Sequence, residues 1–200
     1  MDADRFARAA AAIDRANGDD PNPLSVGGVT RPRALAEGEL VASWIDRLAP
    51  DASDALRLAA RAHHLRRWVS PRSSYPDGRA GYLRWRRDLH EFHATEVGVI
   101  LAAEGYEPAF VARVQDLVRK RGLKGGADAE VQLLEDAICL AFLEAEFAEL
   151  ADRLDEERMI DVLVKTLAKM SDAGKQAGLG IELAQRERDL LLRAVAASTS

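Results

Sequence analysis

Apolar residues recur every three or four positions along most of the chain, which is the spacing of amphipathic helices. One face of the segment 35–48 carries Leu40, Val41, Trp44, Ile45 and Leu48. The same spacing predicts further helices over residues 4–17, 51–68, 82–105, 107–122, 129–154 and 156–170. The chain shows neither the strict alternation of half-buried strands nor a repeat of fixed period. These patterns predict an all-α fold, formed as a single compact multi-helix domain over residues 1–200.

Glycine and proline residues mark the predicted interruptions between these helices. Their densest clusters predict loops over residues 18–34, 69–81 and 125–126. Pro50 ends the second helix, and either Asp51 or Ser53 is suited to cap the next one, because both side chains can accept backbone N–H groups. The last residues, 190–200, are expected to fray.

The composition is that of an ordinary globular chain, with 48% hydrophobic and 30% charged residues among 200. No apolar stretch is long enough to cross a bilayer, and the N-terminal segment lacks the apolar core of a secretory signal. A lone Cys139 cannot form an internal disulfide, which fits a reducing interior. We therefore expect a cytoplasmic protein that does not act at a membrane.

Charge is distributed unevenly along the chain. The net charge of −5 argues against wholesale nucleic-acid binding. Residues 61–87, however, form a basic region in which a single acidic residue, Asp77, stands among eight arginines. These arginines are Arg61, Arg66, Arg67, Arg72, Arg79, Arg84, Arg86 and Arg87. Such an excess predicts either a solvated surface with ion pairs or a binding site for an anionic ligand.

Histidine is rare in this chain, with only four residues, and helical periodicity orients one of them. His93 falls near the centre of an apolar face that includes Leu89 and Val97, so its side chain is predicted to point inward. His63 and His64 both lie beside the apolar face of their own helix. Periodicity alone does not choose between these two.

Two carboxylates are enclosed by apolar residues in the segment 131–143. These residues surround Glu135 and Asp136 nearly all the way round the predicted helix, so neither carboxylate has an obvious solvent side. A buried carboxylate is costly unless a cation, a metal ion or several donors pair with it. The candidate partners in this sequence are the basic region, Lys120, or a metal ion shared with the histidines. Together these residues predict a functional polar pocket.

A further signal comes from the order of five segments, IDRANGDDPNP, ARAHHLRRWVSPRSSYP, GRAGYLRWRRDLHEFHA, LLEDAICLAFLE and IDVLVKTLAKMS. In order and spacing they resemble a bacterial family known as domain of unknown function 4202, over residues 6–171. This resemblance implies no activity, but it selects His64 rather than His63 as a motif residue. The other motif residues fall on Arg67, Trp68, Pro71, Arg72, Tyr75, Tyr82, Trp85, Arg86, His93, Glu135 and Asp136.

The chain is also similar, more distantly, to the HD-domain metal phosphohydrolases. The segment 93–123, followed by LLEDAICLAFLE, resembles the second half of that fold, with Asp136 in the place of its closing aspartate. The resemblance implies a divergent HD-domain-like helical fold around one or two divalent metal ions. The chain departs from the pattern because it has no His-Asp pair. Lys120 is the nearest polar residue where a further histidine is expected.

The resemblances and the enclosed polar residues lead us to expect a metal-dependent hydrolase that acts on a phosphoester or a nucleotide-type small molecule. His64, His93 and Asp136 would hold the metal ion, which would supply hydroxide. The expected catalytic residues are Glu135, Asp136 and Lys120. Imidazole and carboxylate ligands together suit Zn, Mn, Fe or Ni. The expected substrate-binding residues are Arg67, Arg72, Arg79, Arg86 and Tyr75.

Other functions are compatible with the same residues. A regulatory protein that binds phosphate or a nucleotide needs only the arginines, and the same ligand types could hold redox iron in an oxygenase. Aromatic residues among the arginines, such as Trp68 and Trp85, could stack RNA bases, but the acidity of the chain makes nucleic acid an unexpected partner. A small phosphorylated ligand is the expected partner. Motifs of ATPases, serine hydrolases and thiol oxidoreductases are absent from the sequence.

Overall fold

Helices account for most of the chain, as the apolar periodicity predicts. The computed structural model describes residues 3–123 and 127–198. Its helices are α1 (Ala3–Gly18), α2 (Arg33–Leu48), α3 (Asp54–Ala62), α4 (Gly78–Ala103), α5 (Pro108–Val118), α6 (Ala129–Ala145), α7 (Phe147–Arg153), α8 (Glu156–Leu167), α9 (Asp172–Leu179) and α10 (Gln185–Ser198). The other elements are the paired strands β1 (Pro23–Val26) and β2 (Val29–Pro32), and short 3-10 turns at Arg67–Val69 and Arg72–Ser74. The prediction of an all-α fold is confirmed.

Several helices begin where the sequence offers a suitable first residue. At the start of α3, the Ser53 hydroxyl accepts a hydrogen bond from the Leu56 backbone N–H, which confirms Ser53 as one of the two predicted caps. Asp155 caps α8 in the same way, through the N–H of Arg158. Pro108 begins α5, where a helix needs no N–H partner.

The chain divides into two compact units, and the division falls within α6 between Leu134 and Glu135. In the first unit α2 packs on α3, α3 on α5 and α4 on α5. Its fully buried side chains include Ile13, Ile45, Leu56, Leu58, Leu101 and Leu117. In the second unit α8 packs on α10 and on α7. Its fully buried side chains include Phe147, Met159 and Leu163. The single-domain organisation stays a prediction.

The region predicted as a loop over residues 18–34 contains the hairpin of β1 and β2. Val26 pairs with Val29 across the two-residue turn Gly27-Gly28. Both glycines have a positive φ, as the hairpin turn that matches the strand twist requires. A Gly-Gly pair between two valines is the local signal for this hairpin. Periodicity measured over windows of about 11–18 residues cannot resolve such short strands.

The helix predicted over residues 51–68 is shorter in the structure. α3 ends at Ala62, and Arg66 then adopts a left-handed φ of 54°. In the turns that follow, the Leu65 carbonyl oxygen accepts a hydrogen bond from His93 of α4. Neither glycine nor proline marks the end of α3.

The C-terminal part contains more helices than predicted. The segment 129–154 forms two helices, because Glu146 departs from helical geometry with a φ of −120°. The helix predicted over residues 156–170 is followed by α9 and α10. Residues 190–198, which were expected to fray, belong to α10. Leu190, Leu191 and Ala194 are buried within this segment, whereas residues 196–198 are exposed, and residues 199–200 lie outside the described residues.

The remaining interruptions agree with the predictions in part. The loop predicted over residues 69–81 ends at Gly78, where α4 begins. The loop predicted at Gly125-Gly126 lies outside the described residues. Among the helices that the structure describes, none is long and apolar enough to cross a membrane.

Candidate functional site

All four histidines of the chain line one cavity of about 190 Å³, which we call the histidine cavity. Its lining consists of His63, His64, Arg67, Tyr82, Trp85, Arg86, Leu89, His90, His93 and Lys120. These residues all belong to the first unit. The concentration of a rare and reactive residue type makes this cavity the candidate functional site.

Three segments build the wall of the histidine cavity. α4 contributes six residues at intervals of three and four, so they form one stripe along the helix. These are Tyr82, Trp85, Arg86, Leu89, His90 and His93. The turns that follow α3 contribute His63, His64 and Arg67. The turn that follows α5 contributes Lys120.

His93 carries an unprotonated ring nitrogen at the cavity wall. Its Nδ1–H donates to the Leu65 carbonyl oxygen over 2.7 Å, because a carbonyl can only accept. The other ring nitrogen, Nε2, is buried and has no hydrogen-bond partner in the described part of the chain. The residue is 1% exposed, which confirms the inward orientation predicted from periodicity. A buried lone pair in this state indicates a position where a ligand can bind.

His64 lies between a carboxylate and a guanidinium. Arg67 donates from Nη1 to His64 Nε2 over 2.7 Å, so the ring proton must be on Nδ1. Nδ1 then donates to Glu37 Oε2 over 2.5 Å. Glu37 reaches this position because α2 and α3 approach closely at Gly38, where a Cβ would lie 2.7 Å from the Arg61 carbonyl oxygen. The Glu37 carboxylate therefore fixes the tautomer and the orientation of His64.

His63 completes a group of residue types that bind metal ions. Its Nδ1–H donates to the Ala60 carbonyl oxygen over 2.8 Å, which leaves the lone pair on Nε2. Ligand atoms of Glu37, His63 and His64 lie within 4.8 Å of one another, so this group could hold a metal ion. The ring centroids of His64 and His93 are 6.0 Å apart. The choice among Zn, Mn, Fe and Ni stays a prediction.

Burial keeps these imidazoles uncharged at neutral pH. It is the largest cause that lowers the pKa of His63 and His64 well below the usual value for histidine. The positive charge of Arg67 lowers the pKa of His64 further. Burial also lowers the pKa of His93, to about 4. Burial acts in the opposite direction on a carboxyl group and raises the pKa of Glu37.

The wall of the histidine cavity carries three positively charged side chains, Arg67, Arg86 and Lys120. None of the described residues that line it is a carboxylate. The Arg67 guanidinium lies over the Trp85 ring, 5.1 Å from its centroid. Trp85 is held in turn by a hydrogen bond from Nε1 to the Ser70 carbonyl oxygen. A wall of this composition favours an anionic ligand.

Lys120 occupies a backbone position that normally selects glycine. It follows α5 with a φ of 58°, in the left-handed region. Its N–H donates to the Leu117 carbonyl oxygen, and the N–H of Arg121 donates to that of Asp116, which is the pattern of a Schellman motif. The left-handed conformation costs a residue with a side chain roughly 1–2 kcal/mol. A lysine held at such a position in a cavity wall is a candidate functional residue.

The structure brings some predicted site residues together and leaves others outside the lining. The predicted residues in the lining are His64, His93, Arg67, Arg86 and Lys120. Arg72 instead donates to the carbonyl oxygens of Tyr75 and Pro76, and it lines a neighbouring cavity of about 400 Å³. Tyr75 is half-buried and Arg79 is exposed, and neither belongs to the lining of the histidine cavity. The predicted contacts of these three residues with substrate stay predictions.

Most other arginines of the basic region, residues 61–87, have acidic partners. The pairs are Arg61 with Asp14, Arg66 with Glu96, and Arg84 and Arg87 with Asp88. These are half-buried or exposed ion pairs, which contribute little individually. The basic region is therefore mainly a solvated surface, and Arg67 and Arg86 are the arginines that line the histidine cavity.

Glu135 and Asp136 belong to the second unit, and both are buried, as their apolar surroundings predict. Asp136 accepts hydrogen bonds from the backbone N–H and the hydroxyl of Ser171, at 2.8 and 2.5 Å. Ser171 caps α9, and the positive end of a helix dipole stabilises a carboxylate. This partner differs from the arginine, lysine or metal ion expected from the sequence. The roles predicted for Glu135 and Asp136 in catalysis, and for Asp136 in metal binding, stay predictions.

Three residues of the site were not predicted from the sequence. Glu37 is separated from His64 by 27 residues, so no local pattern reveals their contact. His90 carried a usable signal, because it lies three residues before His93 and four after Arg86 on the same helix. His63 was set aside in favour of His64, although both line the cavity.

Residues 7–191 match the sequence model of the family described as Domain of unknown function (DUF4202). The matched range includes the whole lining of the histidine cavity and Glu37. No curated protein matches the chain. No solved structure matches it either. The similarity to HD-domain metal phosphohydrolases stays a prediction.

Proposed function

We propose, for a chain that belongs to the DUF4202 family, that the histidine cavity binds the phosphate group of a small molecule and that the protein hydrolyses its ester. The observation that carries this proposal is the composition of the wall, which combines three cations with neutral imidazoles. The cations suit the phosphate oxygens. The imidazoles suit proton transfer or metal binding, which phosphoester hydrolysis requires.

The size of the cavity limits what it can hold. A volume of about 190 Å³ is below the range of roughly 300–1,000 Å³ that is usual for sites of drug-sized ligands. It suits a phosphate group together with a small part of the molecule that carries it. The neighbouring cavity of about 400 Å³ shares Arg67 and Trp85 with it, and Trp68 belongs to its lining. We therefore assign the phosphate to the histidine cavity and the rest of the substrate to its neighbour.

The hydrolytic part of the proposal uses Glu37, His63 and His64, the group of the first unit that could hold a metal ion. His63 and His64 would hold a divalent transition metal ion, which supplies hydroxide at neutral pH when bound. Glu37 holds His64 in the tautomer that leaves Nε2 for a ligand, as carboxylates beside metal-bound histidines do. Arg86 and Lys120 would bind phosphate oxygens. This group differs from the predicted set of His64, His93 and Asp136, because it contains His63 and Glu37 in place of His93 and of Asp136, which belongs to the second unit.

A phosphate-binding protein without catalytic activity is the second candidate. The observation that favours it is the hydrogen bond from Arg67 to His64 Nε2. This bond occupies the nitrogen that hydrolysis needs as a ligand or as a base. In this second function the arginines and Lys120 would hold the ligand, and the histidines would only shape the cavity.

Calorimetric titration with inorganic phosphate tests the anion site. Arg86→Met should weaken phosphate binding about tenfold or more, because a hydrogen bond to a charged group contributes about 1.5–3 kcal/mol. Arg84→Met is the matched control, since Arg84 is exposed on the same helix and lies outside the lining. It should bind phosphate like the wild type. Equal binding by Arg86→Met and the wild type would contradict the proposed site.

Hydrolysis is tested separately, by phosphate release from a panel of small phosphomonoesters with and without Zn²⁺ or Mn²⁺. Metal-dependent release that is lost in His63→Ala and His64→Ala, while phosphate still binds, would support the hydrolase. Phosphate binding without release from any ester, with any metal ion, would favour the second candidate.

A further inference from the structure

Arg67 occupies the His64 nitrogen that a metal ion would need. Its Nη1 donates to His64 Nε2 over 2.7 Å. The other ring nitrogen, Nδ1, donates its proton to Glu37. Both nitrogens of His64 are therefore engaged, and the Nε2 lone pair becomes available only when the guanidinium moves.

The same guanidinium belongs to the wall that favours an anion. Arg67 lines the histidine cavity together with Arg86 and Lys120. A phosphate is a stronger acceptor than a neutral imidazole nitrogen, because it is charged and can accept two parallel bonds from one guanidinium. Phosphate binding is therefore expected to draw Arg67 away from His64.

We infer that Arg67 makes the binding of phosphate and of a divalent transition metal ion cooperative at the histidine cavity. Without phosphate, the guanidinium covers His64 Nε2 and keeps the metal affinity low. With phosphate, it turns to the phosphate oxygens, and His64 can bind the metal ion beside His63. The inference rests on the proposed function and adds a regulation to it, because the metal ion is taken up together with the substrate.

The arrangement of the ligand atoms supports a metal ion here. Ligand atoms of Glu37, His63 and His64 lie within 4.8 Å of one another. His93, whose buried Nε2 lacks a hydrogen-bond partner among the described residues, lines the same cavity but does not belong to this group. His63, His64 and His93 each donate Nδ1–H to an oxygen, which is the usual arrangement of histidines whose Nε2 binds a metal ion.

The size of the coupling between phosphate and the metal ion follows from the exchange of the hydrogen-bond acceptor of Arg67, and the coupling is equal for the two ligands. A hydrogen bond from a charged donor changes an equilibrium constant by about ten- to a hundredfold, so phosphate should raise the metal affinity by about tenfold or more. Linkage requires that the metal ion raise the phosphate affinity by the same factor. Neutralisation of the positive charge of Arg67 by phosphate acts in the same direction.

A Co²⁺ titration followed by visible absorption measures this coupling. The Co²⁺ affinity is determined without phosphate and with inorganic phosphate at a concentration that calorimetry shows to be saturating for each protein separately, because Arg67 and Arg86 both belong to the proposed phosphate site. The proteins are the wild type, Arg67→Met and the matched control Arg86→Met. Both variants lose one positive charge from the same wall, but only Arg67→Met uncovers His64.

The decisive comparison is made in phosphate-free buffer. Arg67→Met should bind Co²⁺ about tenfold or more tightly than the wild type, and clearly more tightly than Arg86→Met. Phosphate should raise the Co²⁺ affinity of the wild type and of Arg86→Met, and it should have little effect on Arg67→Met. Coupling that persists in Arg67→Met would overturn the inference, because phosphate would then act by binding the metal ion directly.

The same measurements distinguish a failure of the proposed function from a failure of this inference. If the wild type binds no phosphate in calorimetry, the phosphate site is wrong and the inference falls with it. If phosphate binds but leaves the Co²⁺ affinity unchanged, the inference alone is wrong. It is also wrong if none of the three proteins binds Co²⁺, whereas the phosphate site would then stand.

Discussion

The buried imidazole of His93 makes the stability of this protein depend on pH. Its pKa is about 4 in the folded protein, against 6.5 for an unperturbed histidine. Between these two values the unfolded chain binds a proton that the folded chain excludes, so the free energy of unfolding decreases as the pH falls. At about 1.4 kcal/mol per pKa unit, His93 alone accounts for a loss of about 3 kcal/mol. Above pH 6.5 His93 no longer contributes to the pH dependence of the free energy of unfolding.

We expect His93→Asn to flatten this part of the pH profile. The asparagine amide can donate to the Leu65 carbonyl oxygen as Nδ1–H does, but it cannot take up a proton. Urea unfolding of metal-free protein from about pH 7.5 to 4.5 should show a shallower loss of stability in the variant, by up to about 3 kcal/mol. The two profiles should run parallel near pH 7.5. An unchanged slope in the variant would contradict the low pKa of His93.

Single residues of the site differ in how far they could be predicted. His93 points inward because Leu89 and Val97 lie four residues on either side of it, and this information is local. The partner of His64 is not local, since Glu37 lies on another helix. Which nitrogen of His93 carries the proton depends on the Leu65 carbonyl oxygen, and only the folded turn orients that group.

The turn after α5 allows the strain and the chemistry of Lys120 to be tested separately. Lys120→Gly should raise the free energy of unfolding by about 0.5–1 kcal/mol, because glycine tolerates the left-handed conformation. It should also weaken phosphate binding about tenfold, because a cation leaves the wall. Arg66→Gly is the matched control, since Arg66 has a φ of 54° and pairs with Glu96 outside the lining. It should keep its phosphate affinity in calorimetry. A similar loss of phosphate affinity in both variants would indicate that the change to glycine in the backbone, and not the loss of the Lys120 charge, weakens phosphate binding.

The start of α9 provides a test in the second unit. A Cβ at residue 174 would lie 2.6 Å from Asp136 Cγ, so Gly174→Ala should lower the free energy of unfolding by about 1–3 kcal/mol. In an Asp136→Ala background the same substitution should cost less, because the opposing group is gone. Gly18→Ala is the control, since a Cβ there meets open space. The free energy of unfolding is measured by urea denaturation for the wild type, Gly174→Ala, Asp136→Ala, the double variant and Gly18→Ala. Equal costs of Gly174→Ala in the wild-type and Asp136→Ala backgrounds would rule out the contact.

Helices could be predicted where one segment buries a continuous stripe, as α2 and α4 do. Ends that no local residue marks could not, and α3 is the example, since neither glycine nor proline stands at its end and the turns that follow it contact His93 of α4. The break at Glu146 has neither glycine nor proline to announce it. The hairpin is a different case, because Gly27-Gly28 is a local signal that a helical period does not register.

The chain and its cavity have opposite charges. The net charge is −5, whereas the wall of the histidine cavity holds three cations and no carboxylate among its described residues. The net negative charge of the chain repels a long polyanion, which is also too large to enter the histidine cavity. A small phosphorylated molecule experiences mainly the local field of the cavity. We therefore expect the protein to select small phosphorylated ligands against nucleic acids.

Thermal unfolding measures this selectivity. A ligand at about 100 times its Kd adds about 2.7 kcal/mol of stability, which corresponds to an increase in Tm of about 5–10 °C for a chain of this length. Inorganic phosphate or a small phosphomonoester should produce this increase. A single-stranded oligonucleotide without terminal phosphates, at physiological salt, should leave the Tm unchanged. An increase with the oligonucleotide would favour binding of RNA instead.

The position of Arg67 over Trp85 gives the protein a fluorescent reporter of its own. A cation close to an indole ring changes the energy of its excited state, so the emission of Trp85 should shift when the guanidinium moves away. The chain has two other tryptophans, Trp44 and Trp68, and their replacement by phenylalanine would leave Trp85 as the single tryptophan. Ligands that displace Arg67 could then be recognised from a collection of unlabelled compounds by their optical signal, before any reaction is known.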